Sequence, residues 1–120
     1  MSKSVLILIR PDCTFEAVPV RNDHVTELAE LQELVDGYIE TVSSPGEGVI
    51  GIVNEEGRLR GLPVNRIGTM ALGLSARTPL VGNVVLACVD GENIVGFRPW
   101  IAESFLRIIC DMRNMIGGVL

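Results

Sequence analysis

Histidine occurs once in these 120 residues, as His24. Nucleophilic catalysis of the Ser-His-Asp or Cys-His kind needs an imidazole within hydrogen-bond reach of the nucleophile, so that chemistry would rest on His24 alone. His24 follows Asp23, which has the character of a helix N-cap, and an exposed polar role is the ordinary outcome there. Cysteine is also sparse: Cys13, Cys88 and Cys110 are odd in number, far apart and outside any Cys-x-x-Cys pair. This pattern excludes a disulfide framework and offers no zinc-ligand spacing. No catalytic residue, metal or cofactor is assigned, and the chain is read as a non-enzyme.

Long apolar runs are missing as well. The longest near the start, residues 5–9, is far below the roughly 18 residues of a membrane span and too short for a signal peptide. A cytoplasmic protein without a membrane partner is expected. Charged residues make up only 21 % of the chain against 48 % hydrophobic, and the mean hydropathy is +0.39. So few charges over so short a chain suggest that some apolar surface is covered by a second subunit, a homo-oligomer. The length suits one domain over 1–120, folding about two-thirds of its extended surface away.

The net charge is −5, which argues against a nucleic-acid polymer as partner, since backbone binding needs a basic face. The charge is unevenly spread. Residues 1–56 hold eleven acids against Lys3, Arg10 and Arg21, whereas 57–89 hold Arg58, Arg60, Arg66 and Arg77 and no acid.

The pattern predicts an α+β fold: an N-terminal hairpin and central strands in a small antiparallel-rich sheet, one amphipathic helix packed on it, and a hydrophobic C-terminal helix. β-prone runs at 4–9 and 15–20 flank a turn holding Pro11 and Asp12. Over 24–35 the apolar positions Val25, Leu28, Leu31 and Val35 recur at three and four, with Gly37 suited to a left-handed cap. Glu27, Glu30 and Glu33 form a row on that helix, expected to be a solvated face. Strands at 38–42 and 49–53 should pair antiparallel. A tight turn at Asn54, Glu55, Glu56 and Gly57 should return the chain as a strand over 58–62, which Pro63 ends. A short helix within 64–74, a strand over 81–89, and a turn at Asp90 and Gly91 into Ile94 and Val95 complete the middle.

The last helix should open at Pro99 and run to about 116. Its apolar residues occupy more than half the circumference, wider than the roughly 100° needed to lie on one core. A second subunit is the favoured cover, with Trp100, Phe105, Ile108, Ile109 and Met112 as interface residues. Trp100 lies toward the polar side, where an indole stacks on a base, anchors an interface or packs over a loop.

Residues 57–66 carry the densest chemistry. Glycines admit close backbone approach, arginines supply planar forks for phosphate or carboxylate, and Asn65 reads a base or holds a loop. The stretch has neither the Gly-Lys-Ser/Thr of a phosphate loop nor a dinucleotide fingerprint. The alternative role is structural: a hairpin with Arg58 and Arg60 facing water, Leu59 facing the core, and Asn65 capping a helix.

Three stretches also have a familiar order and spacing. Leu31-Gln32-Glu33-Leu34-Val35-Asp36-Gly37-Tyr38-Ile39-Glu40 comes first. It is followed by Val53-Asn54-Glu55-Glu56-Gly57-Arg58-Leu59 with Gly61-Leu62-Pro63-Val64-Asn65-Arg66, then by Val81-Gly82-Asn83-Val84-Val85. Over residues 4–95 the chain resembles the family known as domain of unknown function 3846, which is frequent in phages and other mobile elements. The family pattern more often has Gly where Asp36 stands, and the hydrophobic last helix is not part of the shared motifs. The resemblance implies a small α+β accessory protein and no established activity. Together with the arginine segment it suggests a non-catalytic binder that sequesters a small anionic, nucleotide-like ligand with Arg58, Arg60, Asn65 and Arg66, in evasion of a host immune signal. The competing role is a protein-interaction module that uses the last helix and the acidic first helix.

Overall fold

The computed structural model describes residues 4–21, 26–44, 46 and 48–118. The elements follow in the order β1 (Val5–Ile9), β2 (Phe15–Pro19), α1 (Leu28–Val35), β3 (Ile39–Ser43), β4 (Val49–Asn54), α2 (Arg66–Ala71), β5 (Val84–Asp90), β6 (Asn93–Val95) and α3 (Pro99–Gly118). The strands form one antiparallel sheet of order β2-β1-β5-β4-β3. β6 pairs with the far half of β5, where Cys88 faces Val95. The expected α+β fold with its N-terminal hairpin and C-terminal helix is therefore present.

Strand alternation divides the core into two layers. Ile7, Ile9, Val84 and Leu86 point to one face and pack with Ile67 and Leu72 of the α2 region and with Phe97, Ala102 and Ile109 around α3. Leu6, Leu8, Ile52, Val85 and Ala87 point to the other, under Leu31 and Val35 of α1. The central strands are apolar on both sides because helices cover both faces. α2 lies especially close to the sheet, since a Cβ on Gly68 would stand 2.6 Å from Val84 Cγ2.

The β1–β2 turn is fastened by Asp12, whose Oδ1 accepts the Thr14 N–H at 3.0 Å and the Thr14 hydroxyl at 2.6 Å. These bonds hold the Asp12 carboxyl below its ordinary range. A lowered value means the fastening is complete above the ordinary carboxylate value and is lost as pH falls through the lowered one. The Thr14 amide resonance is expected to move in that acid window, read by NMR titration; an Asp12→Asn variant should abolish the movement.

Several expectations are corrected. Residues 58–62 are not a strand. β4 is already paired on both sides, by β3 and β5, and offers no free edge to a returning strand. The chain instead coils through turns in which Arg60 N–H donates to Glu56 O at 2.9 Å and Leu62 N–H to Gly57 O at 3.0 Å. Leu59 is accordingly 88 % exposed instead of facing the core.

The first helix begins at Leu28, with Glu27 as its N-cap; Asp23 and His24 lie outside the described residues. Its inward face is Leu31 and Val35, and Leu28 is exposed. Glu30 leaves the expected solvated row: it is buried, and its Oε2 accepts the Arg21 N–H at 3.1 Å where the chain leaves β2. Glu33 stays exposed and pairs with Arg21.

The left-handed residue after α1 is Asp36, at φ 59°, not Gly37. Gly37 also has a positive φ, 156°, and a Cβ there would meet Asn54 Nδ2 at 2.6 Å, so backbone conformation and close approach both favour glycine. Because non-glycine residues are strained in the left-handed region, Asp36→Gly is expected to stabilise the fold by about 0.5 kcal/mol. The gain is partly offset by losing the exposed Arg60–Asp36 pair, and urea unfolding measures the net.

Candidate functional site

The turns of 55–61 give the arginines separate settings. Arg60 reaches back to α1, donating to Asp36 O at 2.7 Å and pairing with the Asp36 carboxylate at 3.2 Å. Arg58 donates to Pro79 O at 3.0 Å and borders a cavity of about 300 Å³ that it shares with Glu40 and Glu55, so its charge is locally opposed. Asn65 is fully buried. Arg66, the first residue of α2, is exposed and has no ion-pair or hydrogen-bond partner among the described residues.

Asn65 caps α2 as expected, its Oδ1 accepting the Gly68 N–H at 2.8 Å. It does more than that: Nδ2 donates to Ile9 O and to Gly82 O, both at 2.9 Å. Both donors and one of the two acceptor positions of this buried side chain hold β1, α2 and the entry to β5 together, leaving little to offer a ligand. Two further asparagines act alike. Asn54 Nδ2 donates to Val35 O and Asp36 O at 3.0 Å while its Oδ1 accepts Glu56 N–H at 2.8 Å, and Asn83 Nδ2 donates to Leu34 O at 2.9 Å. The last carbonyls of α1, which a helix leaves without partners, are thus satisfied by side chains from distant stretches. The familiar stretches of the sequence meet at these bonds, so much of their pattern serves the fold.

Arg66 stands at a different kind of place. With Val64, Thr69, Met70, Leu74, Ala76 and Pro79 it lines a cavity of about 380 Å³. The walls are apolar and contain no acid. The Thr69 hydroxyl is already engaged, donating to Asn65 O at 2.7 Å and accepting Leu80 N–H at 2.9 Å. Arg77 follows Ala76 in the loop that borders the cavity. An apolar cavity of this size with a single convergent charged group is the usual form of a small-molecule site.

On α3 the interface candidates also divide. Ile109 is 1 % exposed and belongs to the core of its own chain, because it faces the sheet. Phe105 and Met112 are half-buried, and the Phe105 ring packs on Phe97 with centroids 4.9 Å apart. Ile108 and Trp100 are exposed, and Arg98 lies over the indole at 5.5 Å. Ile101 and Met115, also exposed, were missed as candidates. Ile101, Phe105, Ile108, Met112 and Met115 follow one another at four and three, a continuous seam along the helix. Among the described residues no group of three or more His, Cys, Asp or Glu is placed to hold a metal ion, and no helix is long and apolar enough to cross a membrane.

These features define a small three-layer α+β domain with an arginine-edged apolar cavity on one helical face. Residues 3–109 match the family model described as Domain of unknown function (DUF3846), and the chain belongs to that family. The match reaches beyond the familiar motifs into the first half of α3. No curated protein and no solved structure gives a significant match.

Proposed function

We propose that the chain is a non-catalytic binding protein for a small organic anion, taken up at the cavity beside α2 with Arg66 at its rim. The observation that carries this reading is an acid-free apolar cavity of about 380 Å³ bordered by an arginine with no protein partner among the described residues. Arg58, Arg60 and Asn65 support the loop architecture around it. In a mobile element, such a binder would lower the free concentration of a host signalling metabolite. The test is thermal unfolding against mono-, di- and cyclic nucleotides, ADP-ribose derivatives and organic carboxylates, because a ligand specific to the folded state raises the midpoint by mass action. A saturable rise with one chemical class is expected. Flat midpoints across the panel at millimolar ligand would reject the proposal.

A second reading, association through α3, is favoured by the exposed seam of Ile101, Ile108 and Met115. A homodimer or larger assembly is expected by light scattering at micromolar protein, and Ile108→Asp should convert it to a folded monomer. A wild-type protein that remains monomeric at all concentrations would remove the homo-oligomer.

A further inference from the structure

Neither the walls of the cavity beside α2 nor its charge match the polar edge of a nucleobase. Val64, Met70, Leu74, Ala76 and Pro79 present carbon, and the one hydroxyl among the lining side chains, that of Thr69, is spent on Asn65 O and Leu80 N–H. A base placed there would leave ring nitrogens and exocyclic groups unpaired against apolar walls, a loss that outweighs the gain from stacking. A hydrocarbon body has no such groups and recovers the full benefit of leaving water. The guanidinium of Arg66 is a planar fork that takes a carboxylate through two parallel hydrogen bonds. No acid lines the cavity, and residues 57–89 contain none, so the local field favours a negative head at the rim.

We infer that the cavity takes a ligand with a hydrocarbon body and one anionic head, a medium-length aliphatic or arylalkyl carboxylate, the head on Arg66 and the body against Val64, Met70 and Leu74. The inference rests on the binding reading above and names its ligand class. The charge complementarity lies in that one arginine set at the edge of an otherwise apolar hollow.

Calorimetric titration of the full chain tests it with octanoate, 3-phenylpropionate, neutral octanol and a set of nucleotides. Octanoate or phenylpropionate should bind saturably with one site, octanol at least tenfold more weakly, and the nucleotides not measurably. Arg66→Gln alters an exposed side chain and should fold as wild type by circular dichroism while losing at least tenfold in carboxylate affinity. Ala76→Phe, which fills the cavity from its exposed loop, should abolish binding. Equal binding of octanoate and octanol, or carboxylate binding unchanged in both variants, would overturn the inference. Nucleotide binding that depends on Arg66 without carboxylate binding would overturn it and leave the binding reading standing. Binding of neither class would overturn both.

Discussion

Replacing Asn65 by Ala should destabilise the protein by about 3–5 kcal/mol, a large share of the 5–15 kcal/mol that holds a domain of this size folded. The side chain is 0 % exposed and makes three hydrogen bonds of 2.8 to 2.9 Å, to Gly68 N–H, Ile9 O and Gly82 O. Alanine leaves one donor and two acceptors in a dry interior, where each unpaired group costs about 1–3 kcal/mol and relaxation recovers part. In thermal unfolding the midpoint should fall by at least about 10 °C. Asn65→Asp should be worse, because it removes both donors and turns a carboxylate toward two carbonyl oxygens. A loss below about 1 kcal/mol for the alanine variant would mean that water replaces the side chain at no cost and that Asn65 does not hold the three segments together.

The second large effect contrasts adjacent residues of α3. Ile109→Asp buries an unpaired charge among Ile7, Phe97 and Ala102 and should cost about 3–5 kcal/mol, enough to bring the protein near unfolding. Ile108→Asp changes a residue that is 52 % exposed, and the monomer fold should move by no more than about 0.5 kcal/mol. Urea titrations of both variants, made at protein concentrations low enough that the wild type is monomeric, decide the matter, because association would otherwise add to the apparent loss at Ile108; similar losses there would mean that Ile109 does not face the sheet. The contrast also separates the two sides of the helix. One is committed to the sheet and cannot serve an interface; the other is free to.

What was legible in the sequence and what was not divide along physical lines. The hairpin of β1 and β2, the pairing of β3 with β4 and the turn at Asp90 and Gly91 depend on local alternation and turn chemistry, which a linear chain displays. The cap of α2 was legible for the same reason, since Asn65 lies three residues before the amide it accepts. Its two donated bonds were not, because Ile9 and Gly82 are remote in sequence. Asn54 and Asn83 likewise have the composition of turn residues, and only the folded chain shows them closing α1. Residues 58–62 misled because Arg-Leu-Arg alternates like a strand, yet a strand needs a free neighbour and β4 had none. The arginine cluster suffered accordingly: once the segment coils, Arg58 and Arg60 face Pro79 and Asp36, and Arg66 alone borders an apolar cavity. The breadth of the apolar arc on α3 was legible, but not which of its residues the sheet would claim, and Ile109 was assigned to the wrong side.

A titration of isotopically labelled protein with octanoate, followed by amide NMR, locates the ligand site beside α2. Saturable shifts confined to residues 64–80 are expected, with Arg66, Met70 and Ala76 foremost and the amides of α1 and α3 unmoved. Shifts centred on Arg58 and Glu40, or spread along α3, or absent at saturating octanoate, would place no ligand site beside α2.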